Sequence, residues 1–160
     1  MQKKSVATAC LLFLSIGSTQ VGRTALADDA HHTVVPGDAV NWGQAPASLP
    51  SGAQAAVLLG NPAKEGPFVL RLKFPDGFTV PPHRHSKDEF VTVISGKFAV
   101  GAGEKVDRTA AKPLPAASFV HLPAGMAHYA WAEGEAVVQI NGVGPFDVKY
   151  VDSKDDPRNK

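Results

Sequence analysis

The sequence predicts an all-β protein, an antiparallel sandwich or barrel. Three observations carry that expectation. Short apolar runs rich in Val, Phe and Ile recur along the chain, each bounded by Gly, Pro, Asn or Asp. No window of a dozen residues sustains a helical period. The 160 residues include 15 glycines and 13 prolines, too many for long helices.

Taken in order, the chain opens with a leader. Lys3 and Lys4 precede an apolar run from about Val6 to Ile16, and Ala25-Leu26-Ala27 follows. This is the three-part pattern of a secretory signal peptide over residues 1–27, with cleavage expected after Ala27. The apolar run is too short for a permanent membrane anchor. Cys10 precedes most of that run, so it does not fit a lipid-attachment cysteine. Export to the periplasm or beyond is therefore expected. The only cysteine leaves with the leader, so any metal in the mature chain must be held by nitrogen and oxygen.

Residues 28–54 are rich in Ala, Gly, Pro and polar side chains and read as an extended arm anchored by Trp42. Residues 55–151 carry eight apolar runs. They are Ala55–Gly60, Pro67–Phe74, Glu89–Gly96, Lys97–Ala102, Ser118–Pro123, Ala127–Gly134, Glu135–Gly142 and Phe146–Val151. Each has strand length and composition, and together they suit a small antiparallel barrel. The tail, residues 152–160, is charged and is expected to fray.

Charge excludes two classes of partner. Lys3, Lys4 and Arg23 go with the leader, leaving 13 basic against 15 acidic residues. That balance gives no basic stripe for nucleic acid and no polybasic patch for a membrane.

The segment PPHRHSKDEF, Pro81 to Phe90, holds His83, His85 and Glu89 close together. Residues two apart on an extended segment share a face, so both imidazoles point the same way. Glu89 heads the next strand after a three-residue loop. Two readings are open: a solvated polar loop, or the nitrogen and oxygen donors of a metal centre. Farther on, Pro123 and Gly125 make a tight turn before His128, which supplies a fourth donor from another strand.

Gly77 to Gly96 resembles the first motif of the cupin family, Gly-x5-His-x-His-x3-Glu-x6-Gly, at every defined position. The second motif, Gly-x5-Pro-x-Gly-x2-His-x3-Asn, is partly kept. Pro123, Gly125 and His128 match, while Ala117 replaces the glycine and Ala132 the asparagine. The resemblance implies a double-stranded β-helix, a jelly-roll barrel with a metal inside. It implies His83, His85, Glu89 and His128 as ligands to one divalent ion, whether iron, manganese, nickel, copper or zinc. By strand parity Val91 and Val93 share a face with Glu89, and Ala130 and Ala132 share one with His128. These small apolar residues are expected to leave a dry pocket. Gln139 and Asn141 are candidates to reach the same cavity. Phe90, Tyr129 and Trp131 fall on the opposite face, to pack a second layer or a second copy in a homodimer.

His121 lies out of phase with Val120 and Leu122 and is expected on the surface or at the pocket rim. Arg71 shares a face with Val69 and Lys73 and is expected toward solvent. Gly142–Phe146 lacks the Lys-Ser/Thr of a phosphate-binding loop and reads as a turn. Two function classes follow. One is a metal-dependent enzyme acting on a small organic molecule by dioxygenase- or isomerase-like chemistry. The other is a non-enzymatic module that holds a structural metal or senses a ligand.

Overall fold

The computed structural model describes residues 32–160. The leader expected at residues 1–27, with Cys10, and the first residues of the expected arm lie outside the described residues. Residues 33–160 form one compact unit. It contains nine strands: β1 (Gly43–Gln44), β2 (Gln54–Leu59), β3 (Gly66–Phe74), β4 (Thr79–Arg84), β5 (Glu89–Ala102), β6 (Leu114–Pro115), β7 (Phe119–Leu122), β8 (His128–Gly144) and β9 (Lys149–Tyr150). All pairings between them are antiparallel.

Two long strands organise the barrel. β5 and β8 pair from Phe90↔Asn141 to Ala102↔His128, with register shifts around Ser95. Gly96 has φ +74 and Gly134 has φ +75, so both strands bend where glycine permits it. The bend divides the sheet into two leaves. On one side of it, β8 also pairs with β3 and β5 with β7. On the other, β8 pairs with β4 and β5 with β6. Four of the expected runs are thus two continuous strands, because Gly96 and Gly134 are bulges rather than chain reversals.

β4 was not among the apolar runs, since it contains Pro81 and Pro82. Its pairing with β8 shifts between Val80 and His83, so the prolines sit in a bulge where no ladder N–H is required.

The leaves enclose a core that includes Phe68, Phe74, Val93, Phe98 and Val138, each 4 % exposed or less. Alternate residues of β3 (Phe68, Leu70, Leu72, Phe74) and the even-numbered residues of β8 supply much of it. A second small cluster, Ala99, Tyr129 and Trp131, packs on the outer face. The Tyr129 hydroxyl donates to the Asp107 carbonyl at 2.7 Å, and the Arg108 guanidinium stands 5.4 Å over the Trp131 ring. This chain's own loop therefore covers two of the three aromatics expected at a homodimer face. Phe90 alone of the three stays exposed, at 37 %.

In the arm, the Trp42 ring lies under the Lys73 ammonium, 4.6 Å from its centroid. The tail differs from expectation. It forms two 3-10 turns, Ser153–Asp155 and Pro157–Asn159, capped by Asp152 and Asp156. Arg158 also donates to the Val148 carbonyl at 2.8 Å, which ties the tail to the barrel.

Candidate metal centre

His83 and His128 are directly opposed across the β4–β8 ladder. Their ring centroids lie 4.2 Å apart, and His85, one residue beyond β4, places its ring 4.9 Å from His83. Glu89 opens β5. All four side chains are buried, between 3 % and 6 % exposed. Ligand atoms of the three histidines lie within 4.8 Å of one another.

Backbone carbonyls fix the imidazoles. Nδ1 of His83 contacts the Pro81 carbonyl at 2.8 Å, Nδ1 of His85 the Asp147 carbonyl at 2.5 Å, and Nδ1 of His128 the Met126 carbonyl at 3.1 Å. A carbonyl can only accept, so each neutral ring carries its proton on Nδ1 and leaves a lone pair on Nε2. Glu89 Oε2 stands 3.3 Å from Nε2 of both His85 and His128. The His85 Nε2 atom is fully buried and makes no hydrogen bond of acceptable geometry. Lone pairs thus face a carboxylate with no proton between them, an arrangement that a cation relieves.

For Glu89 and His83 the electrostatics agree. Burial is the largest influence on Glu89 and would raise its pKa, but the adjoining His128 and His85 rings outweigh it and hold it down at about 2. Burial, with His128 and His85 nearby, lowers His83 to about 3 and keeps it neutral. His85 is raised: the neighbouring Glu89 and Asp147 outweigh burial. A neutral imidazole and an ionised carboxylate are the forms that bind a metal. Three imidazoles and one carboxylate fit a divalent first-row ion.

The turn before His128 is stitched to the first segment. The Gly125 N–H donates to the His85 carbonyl at 2.8 Å, and Arg84 donates to the Gly125 carbonyl at 2.6 Å. Asp88 accepts from the Ala124 N–H at 2.9 Å. Asp147 accepts from both the backbone N–H and the hydroxyl of Ser86 at 2.7 Å. These contacts set the positions of ligands that are far apart in sequence.

A cavity of about 460 Å³ opens from the four donors into the barrel. Val91 and Ala130 line it as parity suggested, while Val93 and Ala132 are not in its wall and pack in the core. Gln139 and Asn141 do not reach it. Even-numbered residues of β8 face inward along the whole strand, so Val138 and Ile140 line the cavity instead. Gln139 and Asn141 bond to each other on the outside, where Arg71 also donates to Gln139 at 3.1 Å. His121 is outside as well, stacked on Phe90 at 4.9 Å and paired with Asp88 at 3.0 Å.

Sequence reasoning missed part of the wall. Gln44, Ser48 and Leu49 of the arm border the cavity, and the Tyr150 hydroxyl donates to the Ser48 carbonyl at 2.7 Å. Phe146 stacks on His85, centroids 4.3 Å apart. No local signal marks these residues, because the fold alone brings them to the donors.

Several solved structures share this architecture. The polyketide cyclase RemF from Streptomyces resistomycificus aligns with a TM-score of 0.63 at 15% identity, over 79% of this chain and 90% of that one. A putative acetylacetone dioxygenase from Methylibium petroleiphilum aligns with a TM-score of 0.62 at 19% identity, over 82% and 89%. An RmlC-like cupin from Shewanella frigidimarina aligns with a TM-score of 0.55 at 17% identity, over 71% and 91%. At such identities the likeness establishes the fold. No curated protein sequence matches the chain. A family model described as "Domain of unknown function (DUF4437)" matches residues 32–160. The chain shares the jelly-roll fold of these cupin structures and belongs by sequence to the DUF4437 family.

Proposed function

We propose that this protein is an exported, metal-dependent cupin enzyme that acts on a small organic molecule. The observation that carries the reading is the convergence of three imidazole Nε2 atoms and the Glu89 carboxylate at one end of a 460 Å³ cavity. His83, His85, Glu89 and His128 would hold one divalent ion. When bound, it supplies Lewis-acid or redox chemistry. Dioxygenation or isomerisation is the class we favour, and the fold neighbours named as a putative dioxygenase and a cyclase support that choice through architecture alone. Export rests on the leader pattern of residues 1–27.

Apart from the four donors, no titratable side chain among the described residues lines the cavity. Side-chain acid–base catalysis therefore has few candidates beyond the residues that would hold the ion. The same observation favours a second reading, a binding or sensing module with a closed structural ion. Exogenous ligation separates the two. Protein loaded with ferrous iron under anaerobic conditions is exposed to nitric oxide and followed by electron paramagnetic resonance. A half-integer iron–nitrosyl signal, lost in His83→Ala, is the expected result. Stoichiometric iron without that signal would overturn the enzymatic reading in favour of the closed site.

A further inference from the structure

The walls of the cavity narrow the class of molecule it admits. Glu89 is the one formally charged side chain among its described lining residues, and it is already committed to the donor cluster. No lysine or arginine among the described residues borders it. Arg71 and Lys73, which lie on the adjacent strand β3, point to the outer face, one toward Gln139 and the other over Trp42. Side-chain polarity away from the donors is confined to Gln44, Ser48 and Asn61, which come from the arm and from the turn after β2. Between these and the donors the wall is aliphatic and aromatic, including Leu70, Leu72, Val138 and Ile140. Phe74 and Phe98 present rings stacked at 5.2 Å and 7° on the same wall.

We infer that the cavity takes an uncharged, predominantly apolar molecule, planar or nearly so, with a single oxygen-bearing head directed at the donors and no anionic group at its far end. A distal carboxylate or phosphate would lose its water and find no cation to replace it. A planar apolar body gains burial and edge or face contacts with Phe74 and Phe98. The volume equals that of about 15 waters, which suits a molecule of roughly a dozen non-hydrogen atoms. The inference deepens the enzymatic reading by naming its substrate class. The apolar wall exists whether or not the ion does, so the two can fail separately.

A matched pair of probes tests it. 2-Naphthol and 6-hydroxy-2-naphthoate share a ring and a hydroxyl, and differ by one carboxylate at the far end. Binding of each is measured by calorimetry at neutral pH, with metal-loaded and metal-stripped protein. The expected result is at least tenfold tighter binding of 2-naphthol in both forms. Equal or tighter binding of the carboxylated probe would overturn the inference, and so would failure of the folded protein to bind either. Protein that takes up no metal on reconstitution yet binds 2-naphthol would leave the inference standing and sink the metal-centre reading. Val100→Trp, at a half-buried lining position, locates the probe. Loss of 2-naphthol binding by tenfold or more supports the cavity, and unchanged binding contradicts it. Val57→Trp, on a lining residue 52 % exposed, makes the same test should the first variant not fold.

Discussion

Ala117 has φ 70, the one positive value among non-glycine residues described, at the position where the cupin motif has glycine. The turn there is tied down, since the Ala117 N–H donates to the Val93 carbonyl at 2.8 Å. An L-residue pays for the left-handed region through its Cβ, whereas glycine does not. Ala117→Gly should therefore stabilise the protein by about 0.5–1 kcal/mol in urea denaturation. Spacing marked His83, His85 and Glu89 as candidate donors, and the resemblance to the cupin motifs supplied the full set with His128. The groups that orient them were not legible: the carbonyl that fixes His85 belongs to Asp147, 62 residues away. That fixing predicts a pH response. Protons compete with a metal for imidazole nitrogen, and His85 is raised above its ordinary 6.5 while His83 is lowered to about 3. Proton competition thus begins at His85, on the alkaline side of 6.5, and metal affinity should fall as pH drops, by about tenfold per unit while one proton is displaced. Metal titrations across a pH series check this, and affinity that rises toward acid pH would refute it.

At the scale of elements, β5 and β8 decide the site. Their common bend turns one sheet into two leaves, and only then do β4, β5 and β8 bring their donors together. Gly96 is the pivot. A Cβ there would stand 2.1 Å from the Glu135 carbonyl oxygen, in a backbone region that already disfavours side chains. Gly96→Ala should destabilise the fold by roughly 2–3 kcal/mol, measured by thermal or chemical denaturation, from left-handed strain plus forced backbone displacement. The alternation within β3, β5 and β8 could be read from sequence because one face of each is buried. Continuity through Gly96 and Gly134 could not, because a bulge and a turn use the same residue. The same limit hid β4, whose prolines look like breakers until the bulge in its pairing is known. Which face of the second half of β8 points inward also depended on that continuity, which is why Gln139 and Asn141 seemed eligible for the cavity.

Over the whole barrel, a polar donor set lies at one end of a largely apolar cavity that the arm helps to line. The arm residues Gln44, Ser48 and Leu49 were invisible as wall, since nothing in their composition distinguishes them from a linker. Tyr150 links arm to barrel through the Ser48 carbonyl, and its hydroxyl is pushed up to about 12 by burial, with Asp156 adding to the effect. Everything proposed about activity depends on the ion. The most direct measurement is the metal content of protein isolated from its native compartment without a metal-binding tag, beside a His83→Ala, His85→Ala double variant treated identically. The account predicts about one equivalent of a divalent first-row metal per chain in the wild type and its loss in a variant that remains folded. Wild-type protein without metal, or a folded variant that keeps the full equivalent, would contradict it.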